Sequence, residues 1–339
     1  MRIKRTLVSK GIHDYTLNKE IVNSYLPKAG DLALFEVIEL GRHKSAQTDD
    51  KRNAAIFPGD FLLATFADRY ATAQYEGYVP KQHYEFYQII GAGGVIGIVA
   101  SQNADLDDYE PTKVKLISYC CESDGSVINT KFYKKERHSF TGKVPGDMKI
   151  VLSIGSTMDS GKTTTAAFTA RGLKATGKKI GFIKFTGTAY TKDRDFVFDC
   201  GADVVSDFAE LGFPSTFMCE KDVLLDVYQS LLENMAAQGV EYLVMEIADG
   251  LFQQETSALL KDKAFMSTIH SVIFSCGDSL SAIQGLTTLK AIDITPVLIS
   301  GRFTMSPLLI SEVKNFVEMP VLTIDEIMTG DFNHIILGK

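Results

Sequence analysis

A lysine followed by three threonines, Lys162–Thr165, closes a run of small and polar residues, Gly155–Ser156–Thr157–Met158–Asp159–Ser160–Gly161. That combination suits the binding of phosphate. Backbone N–H groups of a Gly-rich turn converge on an anion, and a helix N-terminus adds unpaired donors and a positive dipole end. In such a loop Lys162 reaches the outer phosphates of a nucleotide and the Thr163 hydroxyl ligates Mg2+. Context supports the reading, because Lys149–Ile154 (KIVLSI) reads as a buried strand and Thr164–Lys174 (TTAAFTARGLK) as a helix. Gly155–Thr164 therefore occupies a strand-to-helix turn, the setting that separates a Walker A loop from a chance match. The spacing departs from G-x-x-x-x-G-K-[ST] in one respect: five residues separate Gly155 from Gly161, and Ser156 stands where the first glycine is usual.

Chemistry needs a second set of groups at the C-terminal ends of neighbouring strands, where parallel sheets place ligands. The apolar run Tyr242–Ile247 carries Glu246 near its end and is followed by Ala248–Asp249–Gly250. A charge there is costly unless paired, so Glu246 is expected to hold Mg2+ directly or through water, and Asp249 to do the same or to orient a substrate. After the run Lys179–Ile183 comes Lys184, a cation suited to stabilising charge that develops on a transferred phosphoryl group. Asp193 or Asp195, in the run Lys192–Asp193–Arg194–Asp195, is a further candidate metal ligand, and Asp199 follows nearby. The catalytic candidates are thus Lys162, Lys184 and Asp249.

These residues resemble those of dethiobiotin synthetase. The loop GSTMDSGKT is similar to that family's G-T-x-x-x-V-G-K-T, with the same spacing, and Glu246-x-Ala248-x-Gly250 is similar to its E-G-A-G-G. Lys184 stands where the family has the lysine of a K-P pair, although Phe185 replaces the proline. The resemblance implies ATP-driven activation of a carboxylated amine as a mixed anhydride, with Thr163, Glu246 and Asp193 as the metal set and Lys184 touching substrate and phosphate. Ser160–Thr164, Ile183–Lys184, Lys192–Asp193 and Gly201–Ala202 also resemble the GTP-binding adaptor of molybdopterin-guanine dinucleotide synthesis. Asp203–Phe208 followed by Gly212–Thr216 resembles P-loop proteins of the DUF1611 kind. All three likenesses fall within roughly 148–330; residues 1–140 resemble no family clearly, and a single-domain dethiobiotin synthetase has no such N-terminal part.

The elements that must position these residues fall into two textures. From Ala29 to about Tyr133 the chain has short β-rich runs: Asp31–Leu40, Phe61–Phe66, Tyr75–Val79, Phe86–Ile90, Val95–Ala100, Lys113–Tyr119 and Val127–Tyr133. This spacing predicts a small β-barrel or sandwich. Ala29–Gly30–Asp31–Leu32 and Pro58–Gly59–Asp60–Phe61 each open a strand after a Gly-Asp turn, a weak internal similarity. From Met148 strands alternate with helices, near 149–154, 179–184, 203–207, 241–247, 271–275, 295–300 and 320–324, which predicts a parallel sheet covered on both faces. The expected organisation is a β-rich domain over 1–140 and an α/β P-loop NTPase domain over 148–339, divided at Phe140–Asp147 (FTGKVPGD). Gly91–Ala92–Gly93–Gly94 precedes a β-run rather than a helix, so it reads as a tight turn or a substrate-facing loop and not as a dinucleotide fingerprint.

Composition narrows the function. The 339 residues carry a net charge of −7, which argues against nucleic acid as a partner and hence against a polynucleotide kinase. The densest basic run, Lys131–Arg137 (KFYKKER), reads as a solvated edge strand or linker. The five cysteines show no C-x-x-C spacing, and the six histidines show no ligand spacing, so neither a disulfide framework nor a zinc site is expected. With no apolar run long enough to span a bilayer and no h-region behind the basic N-terminus, the expectation is a cytoplasmic protein without a membrane partner. The leading expectation is a Mg-ATP-dependent enzyme acting on a small carboxylate or amine. The alternative is a nucleotide-dependent switch with a protein partner, and a homodimer stays open. No N-K-x-D guanine motif is present, which favours ATP over GTP, and Ser300–Gly301–Arg302 is the candidate base contact.

Overall fold

The short β-rich runs pair into a closed ring. In the computed structural model of the chain, which describes residues 2–106, 110–133 and 136–338, they form β1 (Ile3–Arg5), β2 (Thr16–Asn18), β3 (Leu32–Glu39), β4 (Ser45–Gln47), β5 (Asn53–Ala55), β6 (Phe61–Phe66), β7 (Tyr75–Tyr78), β8 (Tyr87–Gly91), β9 (Val95–Gln102) and β10 (Lys113–Cys121). Strands pair in the order β6–β3–β10–β8–β9, and β9 pairs back onto β6, so the path closes as a small barrel. The closing pair is parallel, Thr65 with Val95 and Phe66 with Ile96; the other ring pairs are antiparallel. Closure leaves no free edge inside the ring, and the interior is filled by apolar side chains. Phe35, Phe66 and Tyr87 meet there edge to face, with ring centroids 5.2 Å apart for the first pair and 5.3 Å for Phe66 and Tyr87.

Two turns on this barrel are built alike. Gly30 and Gly59 both adopt positive φ, at 98° and 87°. The following aspartates each accept a backbone N–H, Asp31 from Lys28 at 2.7 Å and Asp60 from Phe57 at 2.8 Å. Such turns start a strand by satisfying donors locally. The run Val127–Tyr133, expected as a strand, is not one. Val127 and Asn129 make single bridges to Cys121 and Asp31, and the Asn129 amide turns to Ala29 O and Asp31 Oδ1, so the chain folds into a turn through Tyr133. Lys134 and Lys135 of the basic run lie outside the described residues.

The second half supplies β11 (Lys149–Gly155), α1 (Lys162–Leu173), β12 (Ile180–Lys184), α2 (Lys192–Asp199), β13 (Val204–Asp207), α3 (Lys221–Ala237), β14 (Tyr242–Glu246), α4 (Gln254–Leu260), α5 (Lys263–Met266), β15 (Ser271–Ser275), α6 (Ser279–Lys290), β16 (Leu298–Ser300), α7 (Pro307–Lys314), α8 (Ile324–Thr329) and α9 (Asn333–Leu337). The sheet order is β13–β12–β14–β11–β15–β16, and every pair in it is parallel. Ile150, Val151, Leu152 and Ile154 are fully buried, as a central parallel strand covered on both faces requires. The run expected as a last strand near 320–324 reduces to one parallel bridge between Ile299 and Val321. It stops because Thr323 caps α8: its side chain accepts from the Glu326 N–H while Glu326 reaches back to the Thr323 N–H.

The chain divides into two units. The barrel unit comprises Met1–Glu136 with two later segments, Gly187–Thr191 and Phe208–Met218. The sheet unit comprises Arg137–Thr186, Lys192–Asp207 and Cys219–Lys339. Sequence reading places the two returning segments with the parallel sheet, whereas they fold with the barrel: Thr191 is held there by Gln47, and Gly212 by Thr130. The cysteines are all free thiols. Among the described residues no helix is long and apolar enough to cross a membrane.

Candidate functional site

The loop between β11 and α1 is held open by its neighbours. Ser156 N–H donates to Ser275 O at 2.9 Å, and Arg302 N–H to Ser160 O at 3.0 Å, so the ends of β15 and β16 brace it. Gly161 caps α1 with φ 97°, a left-handed conformation that glycine adopts without strain. On the other flank a Cβ at Gly250 would stand 2.5 Å from Ser156 O and 2.8 Å from Thr157 Cα. Glycine there lets the segment after β14 lie against the loop.

Lys162 is buried and its ammonium donates to Thr157 O at 2.7 Å, folding the side chain back over its own loop. Burial pulls this ammonium down to about 8; Glu246 opposes the shift and Lys184 adds to it. Thr163, one residue on, donates to Glu246 Oε1 at 3.0 Å.

Glu246 and Lys184 are register partners on β14 and β12. The Lys184 ammonium lies 2.5 Å from Glu246 Oε1 and 2.8 Å from Asp193 Oδ2. Burial disfavours its charge, but the two carboxylates outweigh burial and hold it above the ordinary lysine range. Asp193 is held below the usual carboxylate range, chiefly by Lys184. Glu246 is 1 % exposed, and its second oxygen, Oε2, is buried without a partner.

The phase of α2 selects among the aspartates. Residues two apart on a helix do not share a face, so Asp193 turns to Lys184 while Asp195 lies by Arg194, 3.7 Å from its Nε. Arg194 is committed to a buried pair with Asp207 at 3.1 Å. Asp199 is exposed in the last turn. Asp249 sits in a left-handed turn with φ 62°, and its negative charge favours the charged form of Lys162.

Two clefts flank the loop. One, of about 550 Å³, is lined by Asp159, Lys162, Thr163, Asp193, Phe196 and Arg302 among others. The second, of about 320 Å³, runs from Gly161, Thr164 and Thr165 past Gly301 and Arg302 to Thr323, Ile324 and Asp325. Arg302, a sequence candidate, lines both. Lys192 and Phe196 also line the first cleft, yet sequence reading singled neither out for a role. The Thr323–Asp325 wall was missed too, although the T-x-x-E capping signature at 323–326 was available to find it.

The donor set fits the groups such a loop receives. Thr163, Glu246 and Asp193 offer hard oxygens, which suit Mg2+ rather than a soft metal. Among the described residues no group of three or more His, Cys, Asp or Glu side chains could hold a metal, so the threonine hydroxyl is needed to complete a set. Ser156 Oγ, Ser160 Oγ and Glu246 Oε2 are buried without partners around the loop, a polar demand that a bound phosphate and its cation would meet.

The sheet unit therefore has a P-loop fold. No family model matches the sequence, and no curated protein matches it. Solved structures similar in fold include the signal recognition particle 54 kDa protein of Aeropyrum pernix K1 in complex with GDP (21% identity, 57% of this chain and 47% of that chain, TM-score 0.36). Others are the hydrogenase maturation factor HypB of Archaeoglobus fulgidus (12%, 56% and 91%, 0.39) and a DUF1611 family protein of Anabaena variabilis (12%, 64% and 66%, 0.40). The chain thus spans less than half the length of the first of these. At such values the likeness carries no activity across.

Proposed function

We propose that the protein is a Mg-nucleotide-dependent P-loop enzyme that phosphorylates or activates a small carboxylate or amine, in the manner of the dethiobiotin synthetase resemblance. The observation that carries this reading is the convergence of Thr163, Glu246, Lys184 and Asp193 at the mouth of the parallel sheet beside the loop. ATP is the nucleotide favoured by the missing guanine motif, with GTP as the alternative.

In this reading Lys162 leaves the Thr157 carbonyl and binds the outer phosphates. Thr163, Glu246 and Asp193 would hold Mg2+, which when bound neutralises charge on the phosphates. Lys184, set between two carboxylates, is the group placed to stabilise negative charge on the transferred phosphoryl or to orient an acceptor carboxylate. Gly250 lets the loop and the Asp249 turn pack together, so that these groups are positioned before the nucleotide arrives.

The test is consumption of ATP and of GTP by the full chain with Mg2+ against a panel of small carboxylates and amines, with Glu246→Gln in parallel. An acceptor consumed one-for-one with nucleotide, and a roughly hundredfold loss of turnover in Glu246→Gln with nucleotide still bound, are the expected results. Hydrolysis that no small molecule stimulates, but that a protein partner does, would establish the switch instead.

A further inference from the structure

The barrel unit holds a cleft of its own that the phosphate loop does not explain. It measures about 550 Å³ and is lined by Arg42, His43, Lys44, Arg69, Gln74 and Tyr190 together with Gly91, Ala92, Thr188 and Ala189. Every one of these residues belongs to the barrel unit. The lining contains three permanent cations and no carboxylate. Glu110 is exposed and meets Arg42 through its backbone carbonyl, which accepts the Arg42 N–H at 2.9 Å. Among the described residues the side chains of Arg42 and Lys44 make no hydrogen bond or ion pair.

The walls are built rather than incidental. Arg69 is buried, its guanidinium anchored on Ile90 O and, at 2.8 Å, on Gln74 Oε1. The Gln47 amide takes both polar groups of Thr191, its Oε1 accepting the backbone N–H at 3.0 Å and its Nε2 donating to Oγ1 at 2.9 Å. Tyr190 donates to Asn53 at 3.2 Å. A Cβ at Gly93 would lie 2.0 Å from Ala189 O, so the glycine run between β8 and β9 is what admits this wall. His43 Nδ1 is buried without a partner. Burial first, then Arg69 and Arg42, push its imidazole down to about 3, which keeps the ring neutral at physiological pH. An anion placed among like charges lowers the repulsion between them. The planar fork of Arg pairs two-point with a carboxylate or a phosphate.

We propose that this cleft is a binding site for a small molecule bearing an oxyanion, carboxylate or phosphate, held by Arg42, Lys44 and Arg69. The site stands independently of the nucleotide reading, and its test uses the full chain without nucleotide or Mg2+. Glutarate and inorganic phosphate are titrated separately by calorimetry at low ionic strength into the unaltered chain and into Arg42→Ala, Lys44→Ala and Lys290→Ala. Arg69 is buried and its replacement endangers the fold, so the more accessible pair carries the test. The expected result is saturable binding of at least one probe, weakened at least about tenfold in Arg42→Ala and in Lys44→Ala and unchanged in Lys290→Ala, which removes an exposed cation outside the cleft. Glutarate as the better probe marks a carboxylate ligand, and phosphate marks a phosphate-bearing one. No saturable binding of either, full binding of both probes in Arg42→Ala, or an equal loss in Lys290→Ala would overturn the proposal.

Discussion

The Lys184 ammonium meets Glu246 Oε1 at 2.5 Å from the directly adjacent register position of the neighbouring parallel strand. The pair is buried, with side-chain exposures of 14 % and 1 %, so each charge depends on the other. Removing one partner of such a pair leaves an uncompensated charge and typically costs about 3–5 kcal/mol.

Lys184→Met should therefore lower the unfolding free energy by about 3 kcal/mol in urea denaturation without Mg2+. Adding Glu246→Gln to it should recover part of the loss, since the amide carries no charge to leave stranded. Equal stability of Lys184→Met and the unaltered chain would show that the pair is solvated and not structural.

Lys162 gives a pH dependence with a definite sign. Its ammonium titrates near 8 in the folded chain against an ordinary value of 10.5. Between those values the unfolded chain binds more protons, so this group makes stability rise with pH from about 8 to about 10.5, and its full penalty is present below 8. The stability-against-pH curve of Lys162→Met, subtracted from that of the unaltered chain, should rise across that window. A flat difference would mean that the lysine is not desolvated in the nucleotide-free protein.

How far the sequence foretold this site depends on how local each signal is. The loop Gly155–Thr164 and the strand ends at Lys184 and Glu246 were legible because a motif and a fully buried apolar run each identify themselves within a few residues. The choice of Asp193 over Asp195 came from the family resemblance alone, because both fall in one charged run and only the rotation of α2 separates them. Closure of the barrel rests on the parallel pairing of Thr65–Phe66 with Val95–Ile96, a non-local contact that leaves no mark on periodicity. The segments 187–191 and 208–218 read as loops of the parallel half because chain order says nothing of which core a loop joins.

The rotation of α2 makes a direct comparison possible. Asp193→Asn should weaken Mg2+-dependent nucleotide binding by roughly tenfold, about 1.4 kcal/mol, while Asp195→Asn leaves it within error. Titration of Mg2+ at fixed nucleotide reads both. A larger effect at Asp195 would place the third ligand on the other face of the helix.

Removal of the barrel strands has a consequence that the linear order of the chain conceals. A protein beginning at Lys143 retains 208–218 but loses what that segment packs on. Thr130 no longer donates to Gly212 O at 2.7 Å, and Tyr70 no longer stacks near Phe217 at 5.5 Å between centroids. Phe208 and Phe213, each about 2 % exposed or less in the full chain, are then left without the barrel residues of their unit. Exposed aromatic surface of this kind drives association. The shortened protein should bind a hydrophobic dye strongly and aggregate. Replacing 187–191 and 208–218 with short Gly-Ser loops should restore a monomer that still binds nucleotide through Lys162 and Thr163, because the parallel sheet keeps its own core of Val151, Ala166, Phe182, Val244 and Ile273. If the simple truncation is soluble, dye-negative and nucleotide-competent, those two segments do not depend on the barrel. If the loop-replaced form also fails to fold, the sheet unit is not independently stable.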